Sequence, residues 1–158
     1  SVNAQPNGPQ FLASDEFLWD NAIQSASGQL ISATQAQVYR VYLGGLGRIP
    51  EQEGFEWWVN EVEQGRTLNS LAAGFYHSTE FQTLVDADGN GTVSSTEFVD
   101  HLYSSVLGRA PDNEGYQWWL QQLNDDLYTV EKVFTDFTQS NEYAEKTLAT
   151  VSSYDFFA

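Results

Sequence analysis

VDHLYSSVLGRAPDNEGYQWW, residues Val99 to Trp119, repeats VYRVYLGGLGRIPEQEGFEWW, residues Val38 to Trp58, at a shift of 61 positions. Val38, Tyr42, Leu46, Gly47, Arg48, Pro50, Glu53, Gly54, Trp57 and Trp58 are matched by Val99, Tyr103, Leu107, Gly108, Arg109, Pro111, Glu114, Gly115, Trp118 and Trp119. Two tryptophan pairs in one register mark a tandem duplication. With one inserted residue the register runs on. Thr67, Leu68, Leu71, Phe75, Ser78, Glu80 and Phe81 then meet Thr129, Val130, Val133, Phe137, Ser140, Glu142 and Tyr143.

Each repeat reads as helices. Val99, Leu102, Tyr103 and Val106 follow the i, i+3, i+4, i+7 pattern, as do Tyr116, Trp119, Leu120 and Leu123, and again Val130, Val133, Phe134 and Phe137. Gly108 is expected to close the first helix in the left-handed conformation and Pro111 to start the next. Arg48 and Arg109 sit at that corner beside Glu51 and Asp112. They are expected to tie it through carbonyls and the nearby carboxylate, with a ligand-binding role as the alternative.

GRIPEQEGFEWW and GRAPDNEGYQWW, each followed some twenty residues later by S-x-E-F or S-x-E-Y, resemble the repeats of the bacterial family called domain of unknown function 4214. The resemblance covers most of Val38 to Tyr143. It implies a helical module of large secreted or surface-associated bacterial proteins, often beside calcium-binding sequences, and it implies no reaction. Glu51 stands where the family pattern has Asp, and Trp57 and Trp118 stand where it has tyrosine.

Between the repeats lies DADGNGTVSSTE, Asp86 to Glu97. Numbered from Asp86, oxygen-bearing side chains fall at positions 1 (Asp86), 3 (Asp88), 5 (Asn90), 9 (Ser94) and 12 (Glu97), with Gly91 at the sharp turn and Val93 as apolar anchor. This is the EF-hand pattern. Calcium, a hard cation, takes six to eight oxygens, so side chains alternating around a tight loop converge on it. The Thr92 carbonyl adds a ligand, and Glu97 closes the sphere from the first turn of the exit helix. The bland alternative is a polar turn that mimics the motif.

Carried backward, the duplication sets SASGQLISATQ, Ser25 to Gln35, against this loop with every carboxylate replaced by a neutral residue. It reads as a vestigial EF-hand that pairs with the live loop through a short ladder between Ile31 and Val93, or else as an unrelated linker. SDEF at Ser14 to Phe17 repeats STEF at Ser78 to Phe81 as an entering helix.

Composition excludes several classes of function. Six basic residues against 22 acidic ones give a net charge of -16, which repels nucleic acid and anionic membranes and concentrates cations. Without cysteine there is no disulfide, thiolate metal site or cysteine nucleophile. No apolar run approaches the ~20 residues of a membrane span. His77 and His101 fall outside the duplicated pattern, and no hydrolase, zincin or phosphate-loop motif occurs, so no enzyme is expected.

The tryptophans supply a rival reading. Trp58 lies on the core stripe with Phe55, Val59 and Val62, while Trp57 points about 150° away from it, and Trp118 stands likewise to Trp119. Trp57 and Trp118 are expected to pack under a neighbouring helix or against each other across the repeat; if exposed, they offer faces for stacking on sugar rings.

The expectation is an all-α chain of two duplicated repeats, about 25–81 and 86–143, joined through an EF-hand helix-loop-helix at 78–107. Together they make a single domain, 14–158, behind a flexible leader at 1–13. Its expected role is that of a calcium-binding module, extracellular or on the cell surface, in which Ca2+ fixes the two repeats. The alternatives are a carbohydrate-binding module or a calcium-dependent adhesion or protein-interaction module, with polysaccharide or protein partners. A regulatory calcium sensor is disfavoured, because a sensor groove is usually rich in methionine and this chain has none.

Overall fold

The computed structural model describes residues 30–154. The leader at 1–13, the entering segment Ser14 to Phe17 and the Ser25 to Gln29 part of the vestigial loop lie outside the described residues.

Helix α1 (Ala33–Val41) begins where Ser32 caps it, the Ser32 hydroxyl accepting from Gln35 N–H at 3.0 Å and the Gln35 amide oxygen accepting from Ser32 N–H at 2.9 Å. Its counterpart α5 (Ser95–Leu102) begins on the same device built from Ser94 and Glu97, at 3.1 and 2.9 Å. Both are capping boxes, in which two otherwise unpaired N–H groups are satisfied reciprocally. Gln35 makes the same cap as Glu97 without the charge. The expected ladder does not form: neither Ile31 nor Val93 makes a backbone bridge. Each precedes a cap and turns its apolar side chain to the core instead.

Each first helix widens into a π-turn, Tyr42–Leu46 after α1 and Tyr103–Leu107 after α5, which the apolar periodicity does not reveal. Gly47 at φ 71° and Gly108 at φ 64° close these turns in the left-handed region, as expected for glycine past a helix end. Pro111 does not start the following helix. It stands one residue before the cap of α6 (Asn113–Asn124), because Asp112 caps that helix by accepting from Gly115 N–H at 2.9 Å. In the first repeat Glu51 occupies the cap of α2 (Gln52–Glu63) but makes no side-chain cap bond.

The remaining elements are α3 (Leu68–Tyr76), α4 (Thr79–Val85), α7 (Val130–Thr138), α8 (Asn141–Lys146) and α9 (Leu148–Ser153), so the chain is all-α in two like halves. The halves interlock. The most extensive helix contact is α3 on its own counterpart α7, the two π-turns meet each other, and α1 also packs on α7. One core results, with the rings of Phe81 and Phe134 5.3 Å apart across the repeats.

Polar ties cross the same seam. Arg40, only 1% exposed, donates to Gln139 Oε1 at 2.7 Å and to the Thr138 carbonyl at 3.3 Å, while Gln139 Nε2 donates to the Gln37 carbonyl at 3.0 Å. At the π-turns, Ser105 Oγ donates to the Gly44 carbonyl at 2.6 Å and His101 Nε2 to the Gly45 carbonyl at 2.8 Å. Gly45 has no room for a side chain: a Cβ would lie 2.3 Å from Phe134 Cζ.

Burial pushes the His101 imidazole below its ordinary value near 6.5, and the Gly45 carbonyl only partly offsets this. A histidine whose folded pKa is depressed adds stability that is complete above its unfolded value and is lost as pH falls from there through the folded value. Denaturant unfolding is therefore expected to show stability falling as pH drops below about 6.5, and His101→Gln to flatten that part of the profile. An unchanged profile in the variant would remove His101 as the cause.

Candidate functional site

The loop between α4 and α5 brings Asp86, Asp88 and Glu97 together. One carboxylate oxygen from each lies within 4.8 Å of the others. Short backbone bonds build the cup: Asp86 accepts from Asn90 N–H at 3.2 Å and Gly91 N–H at 2.8 Å, and Asp88 accepts from Asn90 N–H at 3.1 Å. Gly91 turns at φ 88° and Gly89 at φ 69°, a conformation in which a side chain would be strained. The Asn90 amide oxygen accepts from Thr92 N–H at 2.9 Å, which orders the carbonyl side of the loop.

Glu97 reaches back from α5 over this cup, one oxygen accepting from Ser94 N–H at 2.9 Å and the other from Asp88 N–H at 3.1 Å. Those two donors hold its carboxyl below the ordinary value. Asp88 behaves in the opposite way. The Asn90 N–H draws its carboxyl down, but lost hydration, a hydrogen bond shared with Asp86 and the charges of Glu97 and Asp86 prevail and leave it raised. Three oxygen-rich groups that repel one another in so small a space suit a hard cation.

The corner arginines engage more than the sequence indicated. Arg48 meets Glu51 at 2.7 Å and the Ile49 carbonyl at 3.2 Å, as expected, and also grips Glu80 with two bonds of 2.8 and 3.1 Å. Glu80 is held below its ordinary pKa chiefly by that arginine. Arg109 approaches Glu142 at 3.6 Å and Asp112 at 3.9 Å in the same arrangement. The glutamate of S-x-E is thus the distant partner of the Gly-Arg corner. The signal was its recurrence at nearly the same distance from that corner in both repeats, 32 residues after Arg48 and 33 after Arg109.

The tryptophans part company. Trp119 is 1% exposed, while Trp58 is only partly buried. Trp118 packs edge-on against Trp119 at 4.8 Å and Tyr128 at 5.7 Å. Trp57 meets Trp58 at 4.7 Å but remains 51% exposed, while Trp118 is partly buried against Trp119 of its own helix and Tyr128 of the following loop. The reason is at the residue equivalent to Tyr128. Arg66 stands there and covers the Trp58 ring from 5.2 Å without burying Trp57. His77 is exposed beside Tyr76.

These features define a duplicated all-α module whose units share a Gly-Arg corner, an S-x-E partner and paired tryptophans, with an acidic loop at their junction. The family described as Domain of unknown function (DUF4214) matches residues 9–85 and again 87–147, and the chain belongs to it. The two matches meet at the start of the acidic loop. Comparison with curated proteins and with solved structures gave no match. Among the described residues no helix is long and apolar enough to cross a membrane.

Proposed function

We propose that the loop from Asp86 to Glu97 is an EF-hand that holds one Ca2+, and that the ion acts as a structural brace of an extracellular, non-catalytic module. The observation that carries this reading is the convergence of Asp86, Asp88 and Glu97 within 4.8 Å on a loop whose glycines already turn it inward. Asn90, the Thr92 carbonyl and Ser94 complete the ligand set at the remaining positions of the pattern. Calcium supplies a charge that offsets the crowding of the three carboxylates.

The brace works through α5. Glu97 lies one turn before His101 on that helix, and His101 and Ser105 hold the carbonyls of the first repeat's π-turn. Fixing Glu97 over the loop therefore fixes the angle at which α5 meets the first repeat. With three carboxylates in the set, affinity on the order of micromolar to sub-millimolar is expected.

Titration calorimetry is the test. One site per chain is expected in the wild type, and Glu97→Gln, which keeps the capping geometry that Gln35 shows is compatible with a helix start, should weaken binding at least about tenfold. Two equivalent sites, or unchanged affinity in the variant, would refute the assignment.

A further inference from the structure

A cavity of about 200 Å³ opens in the first repeat beside the Gly-Arg corner, lined by Tyr42, Trp58, Phe75 and Gly74 and by the charged group Arg48, Glu51 and Glu80. The corresponding rings of the second repeat pack more closely. There Trp119 lies 4.9 Å from Phe137, where Trp58 stands 5.8 Å from Phe75. Asp136 replaces Gly74, and Tyr128 closes on Trp119 from 6.1 Å where the first repeat has Arg66. Lys146 also reaches the Leu107 carbonyl at the second corner. Two substitutions, one that removes a side chain and one that trades a ring for a guanidinium, thus leave Trp58 partly exposed beside this cavity while Trp119 is 1% exposed; the cavity at the second corner, about 330 Å³, is lined instead by Asp100, Ser104, Arg109 and Pro111.

The chemistry of the lining selects among ligands. An anion finds no free cation, because Arg48 already donates to Glu80 through two nitrogens and to Glu51 through a third. An organic cation would stand beside two guanidinium groups, Arg48 at 5.5 Å from the Tyr42 ring and Arg66 at 5.2 Å from the Trp58 ring, and is repelled by both. What remains is a neutral molecule with an apolar face for the rings and hydroxyls for the carboxylates, each of which retains lone pairs beyond those the arginine uses. The volume equals roughly six or seven waters of liquid, enough for one ring and below the ~300 Å³ where drug-sized pockets begin.

The geometry points to a binding site for a single neutral sugar residue in the first repeat, with Trp58 and Phe75 against its C–H face and Glu51 and Glu80 accepting its hydroxyls. It is separate from the acidic loop, and Trp57, though 4.7 Å from Trp58, is not among its lining residues. For so small a ligand the dissociation constant should be on the order of 1 mM.

The test uses the full chain in calcium-containing buffer, titrated with methyl glycosides of neutral hexoses and N-acetylhexosamines and followed by NMR. At least one glycoside should shift the Trp58 indole and Phe75 ring signals, and shift them more than the Trp57 indole, which touches Trp58 from outside the cavity. Gly74→Leu should weaken that binding at least tenfold; its Cβ meets only the edge of Trp58, at 3.5 Å, so the cavity accepts the new side chain. Trp57→Ala should leave binding unchanged. The wild-type shift map decides even if Gly74→Leu does not fold. Shifts confined to Trp57, no glycoside bound at tens of millimolar, or response only to an acetylated dipeptide amide would each overturn the proposal.

Discussion

Trp119→Ala is expected to lower the free energy of unfolding by about 3–5 kcal/mol, the usual cost of truncating a buried large aromatic. In a chain of this size that is a fall in Tm of roughly 6–20 °C. The indole is sealed on several sides, with Phe137 at 4.9 Å, Trp118 at 4.8 Å and Tyr128 at 6.1 Å, so little of the cavity left behind can collapse. The same change at Trp58 should cost clearly less, because that ring is partly exposed and borders an existing cavity. Paired thermal melts of the two variants measure the difference. Equal losses would show that the two repeats are packed alike, contrary to the geometry.

Calcium should raise Tm. An ion that binds the folded chain alone stabilises it by RT ln(1 + [L]/Kd), about 2.7 kcal/mol at a hundredfold excess over Kd, or roughly 5–11 °C here. Melting in calcium and in chelator reads the shift, and Glu97→Gln should abolish most of it. A hydrophobic dye in the same experiment should stay dark, because a brace uncovers no apolar groove. A calcium-dependent rise in dye fluorescence would mean a sensor, and no shift in Tm would mean that the loop holds no ion in the folded state.

Much of this was legible in the sequence for a physical reason. The all-α class followed from apolar residues at helical spacing, and the helix end at Gly108, which Gly47 repeats, followed from glycine's access to the left-handed region. The acidic loop is local, so residues that converge there are close in the chain. What escaped was long-range or subtle. A π-turn shifts the ladder by one bond without disturbing the apolar pattern. Pro111 lost its place at the helix start because the neighbouring Asp112 can cap. The exposure of Trp57 turned on Arg66, a single departure from the repeat in another segment of the chain.

The meeting of like with like across the seam has a further consequence. Helix α3 rests on its own duplicate α7, and one π-turn on the other. Contacts between equivalent surfaces close on themselves, as in a twofold dimer, whereas stacked arrays join unlike faces and leave one open at each end. Here the α3 and α7 surfaces are each spent on the other. In these two contacts the pair is built as a twofold dimer is, and unlike successive rungs of a stacked array.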